Sequence, residues 1–160
     1  MKTRQNLAEL FARESVFSAR SAVFALKARK EGKPEIARLF QALCESESVH
    51  ARRYLRLLRG RIGSTRENLD EVARRVIPEL KDSCRDFAAE AGVDGMKVAE
   101  EALSHSRQVA GGYVDLINHA QTDNVAAYHV CQVCGFVAEN AAPLKCPVCG
   151  ALQMKFKPID

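Results

Sequence analysis

Four cysteines near the C-terminus have the residue type and spacing of a metal site. They form two Cys-x-x-Cys pairs, Cys131 with Cys134 and Cys146 with Cys149, separated by eleven residues. Each pair can close a tight knuckle, because the glycine after its second cysteine lets the backbone turn so that amide N–H groups face sulfur. Two facing knuckles complete a tetrahedral cage of four sulfurs, a geometry that selects zinc or iron.

The alternative for these four cysteines is a pair of disulfides. The sequence shows no secretory leader, and two further cysteines, Cys44 and Cys84, have no evident partner. Both observations favour a reducing compartment, so we expect a cytoplasmic protein whose cysteine pairs bind metal.

Length and composition divide the 160-residue chain into two parts. The cysteine segment needs only about the last 35 residues, which leaves enough chain for a separate helical unit rich in Ala, Leu, Glu and Arg. No apolar stretch approaches the ~18 residues of a membrane span, so we expect no membrane partner. The net charge of +4 is too small to indicate nucleic acid.

Six arginines cluster between residues 52 and 66. We interpret them as a solvated helix face, and the alternative is a docking patch for an acidic redox partner. The cluster comprises Arg52, Arg53, Arg56, Arg59, Arg61 and Arg66.

Apolar positions recur at helical spacing in four stretches, joined by short connections that predict an antiparallel bundle. An internal repeat supports two related hairpins, since residues 3–10 reappear as residues 65–72. Pro78 lies inside the third stretch and predicts a kink or a restart of that helix near Val76. The four predicted helices are residues 6–31, 34–59, 64–91 and 94–118.

Ionisable residues interrupt the apolar stripes of the first three predicted helices. Glu14 occupies a core position in the first, Glu47 and His50 lie three residues apart on the second, and Glu79 interrupts the third. A buried carboxylate costs several kcal/mol unless it is paired or coordinated, so this set indicates a metal. The alternatives are rotated helices, or hydrogen bonds among His50 and the carboxylates.

With these features the chain resembles the rubrerythrins, which join a ferritin-like four-helix bundle to a rubredoxin-like domain. The resemblance covers essentially the whole length. It implies a bundle over residues 1–119, a linker at 120–127 and a rubredoxin-like domain at 128–160. It also implies reduction of hydrogen peroxide at two bundle irons, with electrons arriving through the rubredoxin-like iron. Carried over by position, the resemblance makes Glu14, Glu47, His50 and Glu79 bundle ligands.

Three positions depart from the family pattern. The internal repeat places Val76 where a third-helix carboxylate is expected, and alignment of Tyr54 with Tyr113 places Ser106 and Val109 where a Glu-x-x-His is expected. Three of the seven diiron ligand positions that the resemblance implies are therefore missing. We expect at most one metal in the bundle, iron or another divalent ion. The nearby pair Glu101 and His105 is interpreted as a surface or helix-pairing feature.

Two functional hypotheses follow from the sequence. The first is a rubrerythrin-like peroxide-reducing enzyme, with iron in the four-cysteine site and a competent bundle site. The second is a non-enzymatic electron-transfer or metal-binding module, with a degenerate bundle site and structural zinc as an option for the cysteines. The resemblance also implies a homodimer, and the alternative is a monomer with both sites in one chain. A redox donor protein is the expected further partner.

Overall fold

A computed structural model of the chain describes residues 2–58, 62–122, 125 and 127–159. Within these residues lie five α-helices, a π-helical turn, a short 3-10 turn and three β-strands. The helices are α1 Lys2–Lys30, α2 Pro34–Leu57, α3 Thr65–Glu71, α4 Ile77–Val93 and α5 Lys97–Thr122. The strands are β1 Tyr128–Cys131, β2 Val137–Glu139 and β3 Phe156–Ile159.

The chain divides into two compact units, Met1–Ser64 and Thr65–Asp160. The first contains α1 and α2, and the second contains the remaining helices and the strands. The predicted boundaries between a bundle, a linker and a metal domain rest on the family resemblance. The division into two units does not test them, so they stay a prediction. Residues 123, 124 and 126 of that predicted linker lie outside the described residues.

Small residues form the contact between α1 and α2. Ala25, Ala28 and Ala37 are buried there, together with the fully buried Ser21. Small side chains let two helix backbones approach closely. A polar contact fixes the register, since the Ser18 hydroxyl donates a 2.8 Å hydrogen bond to the Cys44 carbonyl.

The turn from α1 to α2 depends on Gly32. Its φ is +68°, in the left-handed region. Its N–H donates to the Arg29 carbonyl at 3.1 Å, and the Lys33 N–H donates to the Ala28 carbonyl at 2.9 Å. This pattern is a Schellman cap, which satisfies carbonyls at the end of α1 and lets Pro34 open α2.

Replacing Gly32 by alanine should lower the free energy of unfolding by about 1 kcal/mol, because a Cβ is strained at this φ although no atom obstructs it. Urea unfolding monitored by helix circular dichroism measures the change. Gly111→Ala is the matched control, since Gly111 lies inside α5 with open space around it and no positive φ. That change should instead stabilise by up to about 1 kcal/mol. Equal effects of both changes would contradict this account of the turn.

The predicted third helix is interrupted where Pro78 suggested. It consists of α3, a π-helical turn at Val72–Val76 and α4, with Pro78 in the first turn of α4. The Ile77 N–H donates to the Val72 carbonyl five residues back. Because proline has no N–H, a helix can begin there without losing a bond that it would otherwise make. The restart near Val76 is confirmed, and it takes the form of a π turn.

The C-terminal strands form one antiparallel sheet in the order β2-β1-β3. His129 pairs with Ala138 on one side and with Pro158 on the other. A side-chain contact joins the sheet to α5, since His119 Nδ1 lies 2.9 Å from Glu139 Oε2. The sheet is small, so its core consists of the cysteines and a few neighbours rather than of a separate apolar layer.

The observed helices extend the predicted ones at several ends, with α1 beginning at Lys2 and α5 ending at Thr122. Arg59 and Arg61 of the arginine cluster lie outside the described residues. Among the helices that are described, none combines the length and apolar character that a bilayer crossing requires. The predicted fold class, a set of ferritin-like helices followed by a small rubredoxin-like region, is confirmed by this architecture.

Candidate metal centres

The two cysteine pairs fold into two knuckles with the same hydrogen bonds. In the first, the Cys131 N–H donates to the Phe136 carbonyl at 2.8 Å and the Gly135 N–H donates to the Cys131 carbonyl at 2.9 Å. In the second, the Cys146 and Gly150 N–H groups make the equivalent bonds at 2.8 and 2.9 Å. Both glycines have positive φ, +82° and +71°, which permits each turn.

The four thiols converge on one point. All four sulfurs lie within 4.8 Å of one another. Cys131 Sγ is 3.7 Å from Cys149 Sγ, and Cys134 Sγ is 3.5 Å from Cys146 Sγ. A metal with sulfur ligands at about 2.3 Å in a tetrahedron places them about 3.8 Å apart, so the thiols fit such an ion. Each close pair joins the two knuckles, and all six cysteines of the chain are free thiols.

The thiols interact strongly when no metal neutralises them. Burial raises the pKa of Cys131, but N–H groups of Cys134 and Val133 and the neighbouring thiols outweigh burial and bring its pKa to about 7. Burial is the main cause that raises the pKa values of Cys134 and Cys149. A thiolate therefore forms more readily at Cys131 than at Cys134 or Cys149, and a bound cation would displace thiol protons.

Apolar side chains support the cage from the sheet. Phe136 and Phe156 meet edge to face with ring centroids 6.5 Å apart, and Phe156 belongs to the same buried cluster as Cys131 and Cys146. This cluster excludes water from two of the four sulfurs, since Cys131 is 1% exposed and Cys146 is 3% exposed. A shielded sulfur cage limits ligand exchange and suits electron transfer.

A second cluster of potential ligands lies between α1 and α2. Glu14 on α1 meets Glu47 and His50 on α2, with one ligand atom of each within 4.8 Å of the others. His50 Nδ1 is 3.7 Å from Glu14 Oε2 and 4.0 Å from Glu47 Oε1. These separations exceed hydrogen bonds and leave room between the groups for a cation. The structure thus brings together three of the four predicted bundle ligands.

The carboxylates of this cluster are shielded, and the imidazole is accessible. The side chains of Glu14 and Glu47 are 19% and 14% exposed, whereas that of His50 is 48% exposed. Two partly buried carboxylates at this separation repel each other unless a positive charge lies between them. Two carboxylates and one imidazole suit iron, manganese or zinc, and three ligands leave coordination positions open.

A serine–cysteine pair that the sequence pattern does not indicate lies next to this cluster. Ser18 and Cys44 lie one helical turn from Glu14 and Glu47, with Ser18 Oγ 3.5 Å from Cys44 Sγ. Both residues are half-buried. Ser18 follows Glu14 by four residues, which places the two on the same face of α1. A serine at a core position does not by itself indicate a contact with Cys44.

Glu79, the fourth predicted bundle ligand, belongs to the second unit. Its carboxylate pairs with Arg75 at 3.3 Å, and Arg75 also pairs with Glu71. These contacts raise the pKa of Arg75, chiefly through the Glu71 hydrogen bond. An arginine partner competes with a metal for the Glu79 carboxylate. Its role as a ligand stays a prediction.

Three positions depart from the family ligand pattern, namely Val76, Ser106 and Val109. Their side chains cannot replace a carboxylate or an imidazole as metal ligands. Val76 ends the π-helical turn, and Val109 is 5% exposed. The Ser106 hydroxyl donates to the Ala102 carbonyl at 3.0 Å, so it is used within α5. Glu101 and His105 lie beside Ser106 in a groove of about 340 Å³ that also includes Cys134 of the first knuckle.

Two family profiles match this chain. The profile described as "Rubrerythrin" matches residues 5–108, and the profile described as "Rubrerythrin, rubredoxin-like domain" matches residues 129–157. The chain belongs to the rubrerythrin family. Together, membership of the rubrerythrins and the four-cysteine site make this protein a non-haem iron redox protein.

Relatives within the rubrerythrin family match along almost the whole chain. The rubrerythrin of Porphyromonas gingivalis is 32% identical, with 99% of this chain and 90% of the relative covered. Nigerythrin of Nitratidesulfovibrio vulgaris is 26% identical, with 99% and 84% covered. A solved structure of nigerythrin in a mixed-valence state has a TM-score of 0.54 at 24% identity, covering 98% of this chain and 86% of nigerythrin, which supports the fold.

Proposed function

We propose that this rubrerythrin-family protein reduces hydrogen peroxide with iron at both centres, and that its bundle site holds at most one metal. The cage formed by the four cysteine sulfurs is the observation that carries the redox proposal. Iron in such a cage exchanges one electron with little ligand rearrangement, whereas zinc has no redox chemistry. The relative nigerythrin has been solved in a fully reduced, all-ferrous state, which further supports iron here.

Glu14, Glu47 and His50 would hold the bundle metal in this proposal. The carboxylates would offset its charge, while His50 would bind through a neutral ring nitrogen at the exposed side of the cluster. Reduction of one hydrogen peroxide to two waters takes two electrons and two protons. A chain with one iron at each centre holds those two electrons, and solvent reaches the half-exposed His50 to replace protons.

A non-enzymatic electron-transfer module is the second candidate function. It is favoured by Val76, Ser106 and Val109, which offer no carboxylate or imidazole at three positions of the family ligand set. In that case electrons would enter and leave through the four-cysteine centre, and His50 would serve only to balance the two carboxylates. For both candidates we propose a cytoplasmic location and a separate redox protein as electron donor.

Rapid mixing of the anaerobically reduced protein with hydrogen peroxide distinguishes the two functions. If the bundle site is competent, the visible absorption of the oxidised four-cysteine iron should return on mixing. Glu47→Gln and His50→Ala should each slow that return by about tenfold or more, because each removes a ligand at the peroxide site. Glu45→Gln is the matched control, since Glu45 lies exposed on α2 and pairs with Arg52. Equal rates in all four proteins would contradict a bundle role and favour the electron-transfer module.

A further inference from the structure

A groove between α4 and α5 is lined by cations and other hydrogen-bond donors, and none of its lining residues is acidic. It lies within the second unit and has a volume of about 250 Å³. Each polar side chain in the lining can donate at least one hydrogen bond. The lining consists of Lys81, Arg85 and Ala88 on α4 and Ser104, Arg107 and Gln108 on α5.

Helical spacing explains why these side chains meet in one groove. Lys81, Arg85 and Ala88 follow one another at spacings of four and three residues, which places them on one face of α4. Ser104 and Gln108 are four residues apart and share a face of α5 with Arg107. Ala88 ends in a methyl group and leaves space between the longer side chains. The two helices thus bring three positive charges to one concave surface.

Two of these three charges have no counter-charge in the protein. The Lys81 ammonium and the Arg107 guanidinium have no hydrogen-bond or ion-pair partner within the described part of the chain. Lys81 also precedes Arg85 by four residues, a spacing at which like charges repel and weaken a helix. The groove therefore carries positive charge that an anion would neutralise.

The third cation is oriented by two aspartates that do not line the groove. Arg85 Nη1 donates to Asp82 at 2.8 Å, and Arg85 Nε donates to Asp86 at 2.9 Å. The Nη2 group of Arg85 has no partner in these contacts and stays available to a ligand. A guanidinium that is already held in place loses less conformational freedom when it binds an anion.

We propose that this groove binds phosphate, either as the free ion or as the phosphoryl group of a small phosphomonoester. Phosphate oxygens accept hydrogen bonds and carry the negative charge that the lining lacks. The forked donors of Arg85 and Arg107 match phosphate oxygens in geometry, and Lys81 adds a compact point charge.

The remaining lining residues favour a small ligand. The Ser104 hydroxyl and the Gln108 amide add two uncharged donors on the α5 side of the groove. None of the lining residues is aromatic, so the groove offers a nucleobase no ring to stack on. This composition favours a compact phosphorylated molecule over a nucleotide. The groove uses no residue of either candidate metal centre, and the proposal is independent of the proposed redox chemistry.

Calorimetric titration of the full-length protein with inorganic phosphate, in chloride buffer at constant ionic strength, tests the site. We expect saturable binding at millimolar phosphate. Lys81→Gln and Arg107→Gln should each weaken binding by about tenfold, because each removes a charge-assisted hydrogen bond. Arg38→Gln is the matched control, since Arg38 is exposed on α2 and pairs with Glu35 at 3.2 Å. This control loses the same charge and should bind phosphate as the wild type does.

A second titration, with glycerol phosphate, separates the two sources of the phosphoryl group. Binding as tight as that of inorganic phosphate, or tighter, assigns the groove to a phosphorylated small molecule, and binding of inorganic phosphate alone assigns it to the free ion. Helix circular dichroism checks that each variant is folded, and Arg107→Lys, which keeps the charge but loses the fork, should weaken binding severalfold. A wild type without saturable binding, unchanged affinity in the folded groove variants, or equal weakening by Arg38→Gln would each overturn the proposal. None of these outcomes bears on peroxide reduction.

Discussion

Replacing Cys146 by serine is expected to abolish metal binding at the four-cysteine site and to unfold the C-terminal region while α1, α2, α4 and α5 stay helical. The region is too small to bury a stabilising apolar core, and its buried cluster is built around Cys131 and Cys146 themselves. Loss of one thiolate removes the metal, and the metal-binding free energy is folding free energy in such small sites. The visible absorption should disappear, and hydrogen exchange should become fast in residues 128–159 only.

Cys44→Ser is the matched control for this change. Cys44 is a half-buried free thiol on α2, and serine keeps its shape. The control should retain the metal and the slow exchange of β1–β3. Disulfides Cys131–Cys134 and Cys146–Cys149 in protein kept reduced would contradict the metal site. The short sulfur distances argue against them, because they join the two knuckles rather than the two cysteines of one knuckle.

The second large effect is expected from restoring the missing ligands. The triple change Val76→Glu, Ser106→Glu and Val109→His should add one metal per chain to the bundle. It should also increase the rate of peroxide reduction, since the wild type is expected to be a poor peroxidase beside an intact diiron relative. The reason is chemical: two carboxylates and an imidazole supply charge and lone pairs that valine and serine lack.

A matched variant separates ligation from altered packing. Val76→Gln, Ser106→Gln and Val109→His introduces side chains of nearly the same size, with the same buried imidazole, but without the two carboxylate charges. This variant should gain no metal. A gain of metal by both variants, or by neither, would show that these three positions do not decide the occupancy of the second metal site.

The convergence of the four cysteines was predictable because its determinants are local. Each knuckle is defined within six residues, and the spacing of Cys131 to Cys134 is enough to specify the turn. Glu14, Glu47 and His50 were predictable for a related reason, since helical periodicity fixes which residues share a face. Their meeting needs only that α1 and α2 pack as a hairpin, which the short turn at Gly32 ensures.

Other features depend on contacts that periodicity does not encode. Pro78 predicted an interruption, but the π turn at Val72–Val76 depends on which carbonyl accepts the hydrogen bond from the Ile77 N–H. The pairing of Arg75 with both Glu71 and Glu79 depends on the rotamers that these three side chains adopt around that turn. Which residues of α1 are buried, namely Ser21, Ala25 and Ala28, likewise depends on how α2 packs against it.

The iron content of the protein, loaded and purified without oxygen, shows whether each chain holds one iron at each of the two centres. Iron and protein are quantified together for the wild type, Cys146→Ser and Glu47→Gln. We expect close to two irons per chain in the wild type, with each variant losing a different one. Three irons per chain in the wild type, two of which survive in Cys146→Ser, would contradict the account.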